Sequence, residues 1–450
     1  MTSTLLKPTS NPSLKTPTIH RLANGLTIVA EHLPVDAVNL SLWLPVGSAL
    51  ETNEINGMAH FLEHMIFKGT QRLSSGEFER LIEERGALTN AATSQDYTHY
   101  YITTAPQDFA ELAPLLFEVV LNAAIPDEAF ERERFVVLEE IRRSEDNPNR
   151  RTYQRAIETA FASLPYHRPV LGPTSVIESL TSQQMRDFHH TYYQPQRMTA
   201  VVVGNLPVDE LIKIVTKAVM DTIHHDATPR PDWTRDRGHH CLEMGYPTAV
   251  ITGETPFTEI IRHQVVDPHL QQARLVMTWR VSGLTQLEET YGLDVLASIL
   301  GQGRTSRLIQ DLREQKQLVS SIVASNMTYA WGGVFYISAR LALENVETVE
   351  RMIAQHIQQL HIEPVTPAEM ARVSTQVANR FIFGSETPAE RANLYGYYQS
   401  LVQDLVPALT YPQKIQALTA GDLQKAARQY LDPNAYGTVI LRPQTGQISP

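Results

Sequence analysis

The chain has 450 residues, a formal net charge of −11 and a single cysteine, and each of these features limits what the protein can be. A chain of this length exceeds what one hydrophobic core usually serves, which indicates two domains of roughly 200 residues each. The negative charge argues against nucleic acid as a partner and mildly favours cationic peptides. The lone Cys241 excludes an intramolecular disulfide framework and fits a reducing compartment, so we expect a cytoplasmic protein.

The N-terminal segment, residues 1–18, is rich in Ser, Thr and Pro, and we predict a disordered tail there. It lacks the apolar run of a secretory signal, and nowhere in the chain is there an apolar stretch long enough to span a membrane. We therefore expect no membrane association. A cleaved targeting peptide is the alternative, although the segment contains no arginine.

Two segments indicate that the chain contains two similar domains. Residues 38–47 alternate as a strand and lead into helical patterns, and residues 274–282 repeat this near the start of the second half, including a central tryptophan. Runs of strands with helices packed on one side predict two α+β domains. We place the first domain at 19–220, a Pro- and His-rich linker at 221–256, and the second domain at 257–450.

The most specific motif is His60-Phe-Leu-Glu63-His64, an H-x-x-E-H pattern that inverts the H-E-x-x-H signature of zinc proteases. On a helix, His60 and His64 leave the same face one turn apart and supply two zinc ligands. Glu63 shares that face and can reach a metal-bound water without being a ligand. The alternative is a buried helix whose two histidines are merely hydrogen-bonded.

Residues 86–94 carry small side chains where a strand could be approached closely by another backbone. The alternative here is an ordinary turn and strand, with Asn90 satisfying a local bend. Further on, residues 131–143 follow a helical pattern that places Glu133 and Glu140 on one face, two turns apart, while Glu139 is rotated about 100° away. Spacing alone allows either a metal ligand or a solvated, salt-bridging face.

An H-x-x-E-H motif followed by a glutamate 76 residues after its second histidine resembles the M16 peptidases, which include pitrilysin, insulin-degrading enzyme and the mitochondrial processing peptidases. The likeness extends from about residue 19 to about residue 441, through individually weak matches at 22–26, 57–59, 67–70, 165–169, 180–181, 192–195, 306–308 and 312–314. It implies that two homologous α+β domains, each an antiparallel sheet flanked by helices, form half of an M16-type clamshell.

The resemblance also implies roles for individual residues. His60, His64 and Glu140 would bind one zinc ion per chain, with Glu63 as the general base of a metalloendopeptidase. Glu133, seven residues before the ligand glutamate, would orient a ligating histidine. The segment Asn90, Ala91, Ala92 and Thr93 would be the edge strand to which a peptide substrate adds by main-chain pairing.

One part of the family pattern is incomplete. The family's C-terminal signature has an Arg and a Tyr seven residues apart that act on the substrate carbonyl; Arg313 fits the first position, but Ser320 stands at the second, and Tyr329 is out of register. Short M16 chains work as dimers, and some pair a zinc-bearing chain with a chain that lacks zinc but carries the Arg/Tyr pair. This chain resembles the zinc-bearing member, so we expect a heterodimer, with a homodimer using Arg313 alone as the alternative.

Two other functions stay open at this point. One is a non-catalytic scaffold subunit of a larger complex, and the other is a narrow-specificity subunit that processes presequences. The intact zinc motif favours the enzyme over the scaffold, because scaffold members of the family usually have eroded motifs. Nothing in the sequence decides the range of substrates.

Overall fold

The structure is a computed structural model that describes residues 15–224 and 253–444. Most of the predicted N-terminal tail and most of the predicted linker, including Cys241, lie outside the described residues. The last helix of the first half ends at His224, and the first strand of the second half begins at Ile261. The domain boundaries given above therefore stay predictions.

The first half is built on a six-stranded sheet in which every neighbouring pair is antiparallel except β2 and β6. The strand order is β1-β2-β6-β3-β5-β4, so that β4 lies at an edge. The strands are β1 (Thr18–Arg21), β2 (Thr27–His32), β3 (Val38–Leu44), β4 (Leu88–Thr93), β5 (Thr98–Thr104) and β6 (Thr199–Gly204).

Eight helices accompany this sheet in the described part of the first half, and their apolar faces form one core with it. Alternate residues of β3, among them Leu40 and Leu42, are fully buried in that core with Phe61 and Leu62 of the first helix. The helices are α1 (Met58–Ile66), α2 (Glu77–Glu84), α3 (Phe109–Leu121), α4 (Asp127–Asp146), α5 (Pro148–Ala160), α6 (Thr174–Ser179), α7 (Ser182–Tyr192) and α8 (Val208–His224).

The second half has a five-stranded sheet of order β7-β11-β8-β10-β9 with its own helical layer and core. Its strands are β7 (Ile261–Asp267), β8 (Ala273–Val281), β9 (Val319–Thr328), β10 (Gly333–Leu341) and β11 (Gly437–Pro443). Its helices are α9 (Leu287–Gly301), a π-helical turn (Ile309–Gln315), α10 (Val346–Ile362), α11 (Pro367–Phe383), α12 (Pro388–Leu401), α13 (Val406–Ala417) and α14 (Ala420–Tyr430).

The prediction of two similar α+β domains is confirmed by the strand orders. In each sheet a parallel pair, β2 with β6 or β7 with β11, is followed by three strands in antiparallel order. The tryptophans that suggested the repeat are not equivalent, however. Trp279 lies in the core of its own domain and donates its indole N–H to the carbonyl of Asp432 at 2.8 Å, whereas Trp43 lies on the opposite face of its sheet and contacts the other domain.

Each half covers the outer face of the other half's sheet with one helix. Helix α5 packs on β8 and β11, and α12 packs on β3 and β6. The approach of α12 is so close that a Cβ atom on Gly396 would lie 2.1 Å from Nε1 of Trp43. Only glycine therefore fits at position 396.

Polar contacts fix the two halves at this boundary. The buried carboxylate of Glu31 accepts hydrogen bonds from Arg391 at 2.7 Å and from the hydroxyl of Tyr395 at 2.9 Å. Buried Asp96 accepts from the hydroxyl of Tyr166 at 2.8 Å and from the backbone N–H of Ala330 at 2.9 Å. Because buried charges are stable only when they are paired or hydrogen-bonded, these contacts require one relative placement of the halves.

Candidate metal centre

The N-terminus of α1 is held by a buried carboxylate. Glu51 is 3% exposed and accepts hydrogen bonds from the backbone N–H groups of Gly57 and Ala59, both at 2.7 Å, and from the Asn56 amide at 2.8 Å. Gly57 precedes the helix with φ of 97°, a conformation that favours glycine. A carboxylate at a helix N-terminus satisfies free N–H groups and is favoured by the helix dipole. Glu51 therefore sets where α1 begins, directly before the motif.

The motif is helical, as its spacing predicts. His60 and His64 leave one face of α1, with their ring centroids 4.8 Å apart. The other face, formed by Phe61, Leu62, Met65 and Ile66, is buried in the core of the first domain. Packing of that face fixes the rotation of the helix and therefore the direction of both imidazoles.

Helix α4 brings a carboxylate to both imidazoles. Oε2 of Glu140 lies 3.4 Å from Nε2 of His60 and 3.5 Å from Nε2 of His64. These three side chains each offer one ligand atom, and all three atoms lie within 4.8 Å of one another. Two imidazole nitrogens and one carboxylate oxygen, with the remaining side open, are the donor set of catalytic zinc sites. The geometry therefore fits a zinc ion held by His60, His64 and Glu140.

The neighbouring glutamates of α4 are placed very differently. Glu133, two turns before Glu140, accepts from Nδ1 of His64 at 3.0 Å and from the ammonium of Lys68 at 2.8 Å. Glu139 points to solvent and pairs with Arg142 and Arg143. A carboxylate on Nδ1 fixes the histidine tautomer that leaves Nε2 available as a ligand. Glu133 is thus placed to orient His64, and Glu139 is remote from both histidines.

The electrostatics of the cluster favour a cation. Burial lowers the pKa of His64, but hydrogen bonds and charge interactions with Glu133 and Glu140 outweigh this and raise it to about 9. Hydrogen bonds from His60 and His64 hold the pKa of Glu140 well below its ordinary value. The carboxylates therefore attract positive charge at this point, and a bound metal ion would replace the proton on His64.

Glu63 lies beside the cluster and contacts the edge strand. Its Oε2 accepts a hydrogen bond from the hydroxyl of Thr93, at the end of β4, at 2.5 Å. Together with His60, Glu140 and Ala92, both residues line a cavity of about 890 Å³. A carboxylate held next to a candidate metal position, in a cavity large enough for a peptide segment, has the placement that a general base needs.

The predicted substrate strand is an edge strand. Among the described strands, β4 pairs only with β5, so its other edge has free main-chain groups. Ala92 and Thr93 line the cavity, whereas Asn90 is exposed and accepts a hydrogen bond from the N–H of Ala91 at 2.9 Å. Asn90 lies inside the strand, in regular register with Tyr101 of β5, so no bend occurs at this residue, and β4 keeps an edge that pairs with no other described strand.

Arg313 and Ser320 are not part of this cavity in the described structure. Arg313 lies in the π-helical turn and pairs with Glu314, while the Ser320 hydroxyl contacts Gln272 at 2.9 Å and the carbonyl of Arg340 at 3.1 Å. Tyr329 cannot take the place of the tyrosine that is missing at position 320. It is 6% exposed, stacks on Tyr166 and shares a hydrogen bond with Tyr153 at the boundary between the halves.

Two residues that position the site, Lys68 and Glu51, were not predicted from the sequence, and a third, Thr93, was predicted in a different role. Lys68 lies two residues beyond the end of α1, so helical spacing gave no signal for the contact of its ammonium with Glu133 of α4. Thr93 was predicted to bind substrate, not to contact Glu63. Glu51 gave no local signal, since it lies before the helix in an irregular segment. Among the described helices, none is long and apolar enough to cross a membrane.

The chain resembles known proteins over most of its length. Residues 27–174 match the family model described as insulinase (peptidase family M16), and residues 179–377 match the model described as peptidase M16 inactive domain. The zinc protease PqqE of Helicobacter pylori is 28% identical over 429 residues, with 94% of this chain and 92% of that protein covered. An uncharacterized zinc protease of Rickettsia felis is 27% identical over 423 residues, with 94% and 97% covered.

Solved structures show the same fold. The crystal structure of a protease from Helicobacter pylori has a TM-score of 0.85 and 26% identity, and the match covers 95% of this chain and 99% of that one. A peptidase M16 inactive domain from Pseudomonas fluorescens has a TM-score of 0.82 at 17% identity, with 96% and 100% covered, and this likeness concerns the fold alone. The two family models, the relatives and the solved structures agree: the chain belongs to the M16 family of peptidases.

Proposed function

We propose that the chain is a zinc-dependent endopeptidase that hydrolyses peptides or short unfolded polypeptides, with one zinc ion held by His60, His64 and Glu140. The observation that carries this proposal is the cluster itself, in which three ligand atoms lie within 4.8 Å of one another at the wall of a large cavity. The relatives named zinc proteases, at 27% and 28% identity over nearly the whole chain, support the same choice of metal.

In the proposed hydrolysis, Glu63, Thr93 and the main chain of β4 each have a separate role. When bound, zinc supplies Lewis acidity, which acidifies water and polarises a peptide carbonyl. The Glu63 carboxylate accepts the proton of the attacking water and then donates it to the leaving amine. The Thr93 hydroxyl holds Oε2 of Glu63, which fixes the carboxylate relative to the end of β4. Free main-chain groups of β4 pair with the peptide and align it without demanding a particular sequence.

The chain offers a matched pair of variants for the metal. Glu140→Gln should weaken zinc binding strongly, and His60→Ala or His64→Ala should abolish it. Glu139→Gln, one residue away on the same helix, should bind zinc normally because Glu139 only pairs with surface arginines. Zinc content after dialysis measures this, and equal losses from both glutamate variants would refute the ligand assignment.

A second variant separates chemistry from metal binding. Glu63→Gln should keep zinc and the fold while lowering turnover by at least about 10²-fold, the scale of a general-base contribution. Turnover is measured on peptides that the parent protein cleaves. Normal turnover in Glu63→Gln would exclude Glu63 as the base, and a zinc-loaded parent that cleaves no peptide, alone or with a partner chain, would favour the non-catalytic scaffold.

We also propose that a homologous M16 chain without zinc, carrying Arg and Tyr at the spacing of Arg313 and Ser320, completes the enzyme as a heterodimer. Ser320 cannot supply the acidity of a phenol, and each hydrogen-bond donor to a developing oxyanion contributes about 10²–10³-fold. The chain alone should therefore be a poor peptidase. Activity of the isolated chain equal to that of the mixture, with no gain from Ser320→Tyr, would instead support the homodimer.

A presequence-processing role would appear as cleavage of only a few members of a peptide library. The cytoplasmic location stays a prediction.

A further inference from the structure

A second cavity lies beside the candidate metal centre, between α5 and the outer face of the second sheet. Its volume is about 340 Å³. Helix α5 packs mainly on β8 and β11, and residues of β9 and β10 line the cavity beside it. Tyr153 of α5 lines both this cavity and the larger one that contains His60 and Glu63. The two cavities therefore share a wall.

The floor of this second cavity contains two arginines in an unfavourable arrangement. Arg274 of β8 and Arg340 of β10 are directly opposite each other in the antiparallel register, and both line the cavity. Like charges directly opposite on neighbouring strands destabilise a sheet. Arg151, at the start of α5, adds a third positive charge close enough to act on Arg274.

Arg274 and Arg340 form no ion pair within the described part of the chain. Arg151 is paired with Asp267, but among the described residues no carboxylate lies within 4.0 Å of Arg274 or Arg340. Arg274 donates to the side-chain oxygen of Asn149, and Arg340 donates to the hydroxyl of Ser321 at 2.8 Å; both acceptors are neutral. Nε of Arg274 is buried and has no hydrogen-bond partner among the residues that the structure describes. Burial, followed by repulsion from Arg340 and Arg151, lowers the pKa of Arg274, and the opposing charge of Asp267 only partly offsets this, so positive charge outweighs negative charge around Arg274.

We propose that Arg274 and Arg340 form a binding subsite for a carboxylate of the peptide substrate. A planar carboxylate accepts two hydrogen bonds from a guanidinium fork, and an anion between the two arginines would relieve their repulsion. This proposal rests on the proposed peptidase function, since it places one end or one side chain of a peptide next to the zinc cavity. The carboxylate is either the C-terminus of the peptide or an Asp or Glu side chain.

The test measures binding with the full-length, zinc-loaded Glu63→Gln protein, which should bind peptides without cleaving them. The probe is a short N-acetylated peptide of alanine, valine and glutamine, titrated by calorimetry in three forms: a free acid, a C-terminal amide, and an amide with one internal glutamate. Arg340→Gln and Arg274→Gln should each weaken binding of a carboxylate-bearing form by about tenfold, the value of one charge-assisted hydrogen bond, and should leave the plain amide unchanged. Arg304→Gln, an exposed arginine of the same domain, is the control and should change nothing.

The outcomes separate this proposal from the proposed function. Selective loss for the free acid assigns the subsite to the C-terminus, and selective loss for the glutamate form assigns it to an acidic side chain. Equal loss for all three peptides, or no loss for any, overturns the subsite even when the wild-type chain cleaves the free acid. If the carboxylate forms lose affinity as expected but the wild-type chain cleaves none of the peptides, alone or with a partner chain, the peptidase proposal fails while the subsite stands. Melting temperatures of the variants identify any general loss of structure.

Discussion

Replacement of Glu51 tests whether the start of α1 controls the metal centre. The carboxylate holds two backbone N–H groups at 2.7 Å and the Asn56 amide at 2.8 Å, and all of these groups are buried with it. In Glu51→Ala the two N–H groups would lose their partner. Because a buried donor left without an acceptor costs about 1–3 kcal/mol, we expect the free energy of unfolding to fall by about 3–5 kcal/mol.

The effect on the metal should be visible in the folded variant. Ala59, whose N–H is released, directly precedes His60, so the first turn of the helix and the His60 ring should lose their fixed position. Loss of a residue that supports a metal ligand typically weakens metal binding by 10–100-fold. We expect zinc affinity to fall by about tenfold or more, measured by competition with a chelating dye at a temperature where the variant is folded.

A second helix cap provides the control. Thr181 caps α7 by accepting from the N–H of Gln184 at 3.2 Å, and Thr181→Ala should cost about 1 kcal/mol without changing zinc affinity. Urea unfolding in the presence of a chelator compares the two variants without a contribution from zinc. If folded Glu51→Ala binds zinc as tightly as the parent chain, the argument that Glu51 positions His60 is wrong.

Two further predictions concern the packing and the ion pairs of the second half. Gly396→Ala should lower the free energy of unfolding by about 3 kcal/mol, because its Cβ would lie 2.1 Å from Nε1 of Trp43. Gly421→Ala is the control: its Cβ would have no atom nearer than 3.6 Å, so its free energy of unfolding should stay within about 1 kcal/mol of the parent. Similar losses for the two variants in chemical denaturation would contradict the close approach of α12. Hydrogen bonds from Arg307 lower the pKa of Glu369 from 4.5 to about 2, so the ion pair stabilises the folded state above pH 4.5 and loses this effect as the pH falls toward 2. The stability difference between the parent and Glu369→Gln, about 2 kcal/mol at pH 7, should therefore shrink below pH 4.5, and a difference independent of pH would refute the assignment.

The parts of the site that the sequence predicted are those encoded locally. His60, Glu63 and His64 lie within one helical turn, so their spacing alone places them on one face. Glu140 was different, because helical spacing could not distinguish a ligand from a solvated residue, and the family resemblance was needed to select it. The structure supports that selection through the contrast between Glu140, beside both histidines, and the exposed Glu139.

Contacts between distant segments could not be predicted in the same way. Glu31 and Arg391 are 360 positions apart, and their pairing depends on how α12 crosses the first sheet. For the two tryptophans the sequence predicted an equivalence that the structure does not have, because a matching residue in two strands suggested equivalent positions. A shift of one residue reverses the face of a strand, and Trp43 and Trp279 lie on opposite faces of their sheets.

Because α5 and α12 each pack on the sheet of the other half, the two halves should depend on each other for stability. Each sheet obtains part of its cover from the other half, so an isolated half would expose a strip of apolar strand surface to water, including Trp43 in one case and Val276 with Val439 in the other. A cut in the chain between α8 and β7 should therefore not release two stable fragments, because the noncovalent contacts remain. Both halves should denature in a single cooperative transition, and neither expressed alone should remain monomeric at high concentration.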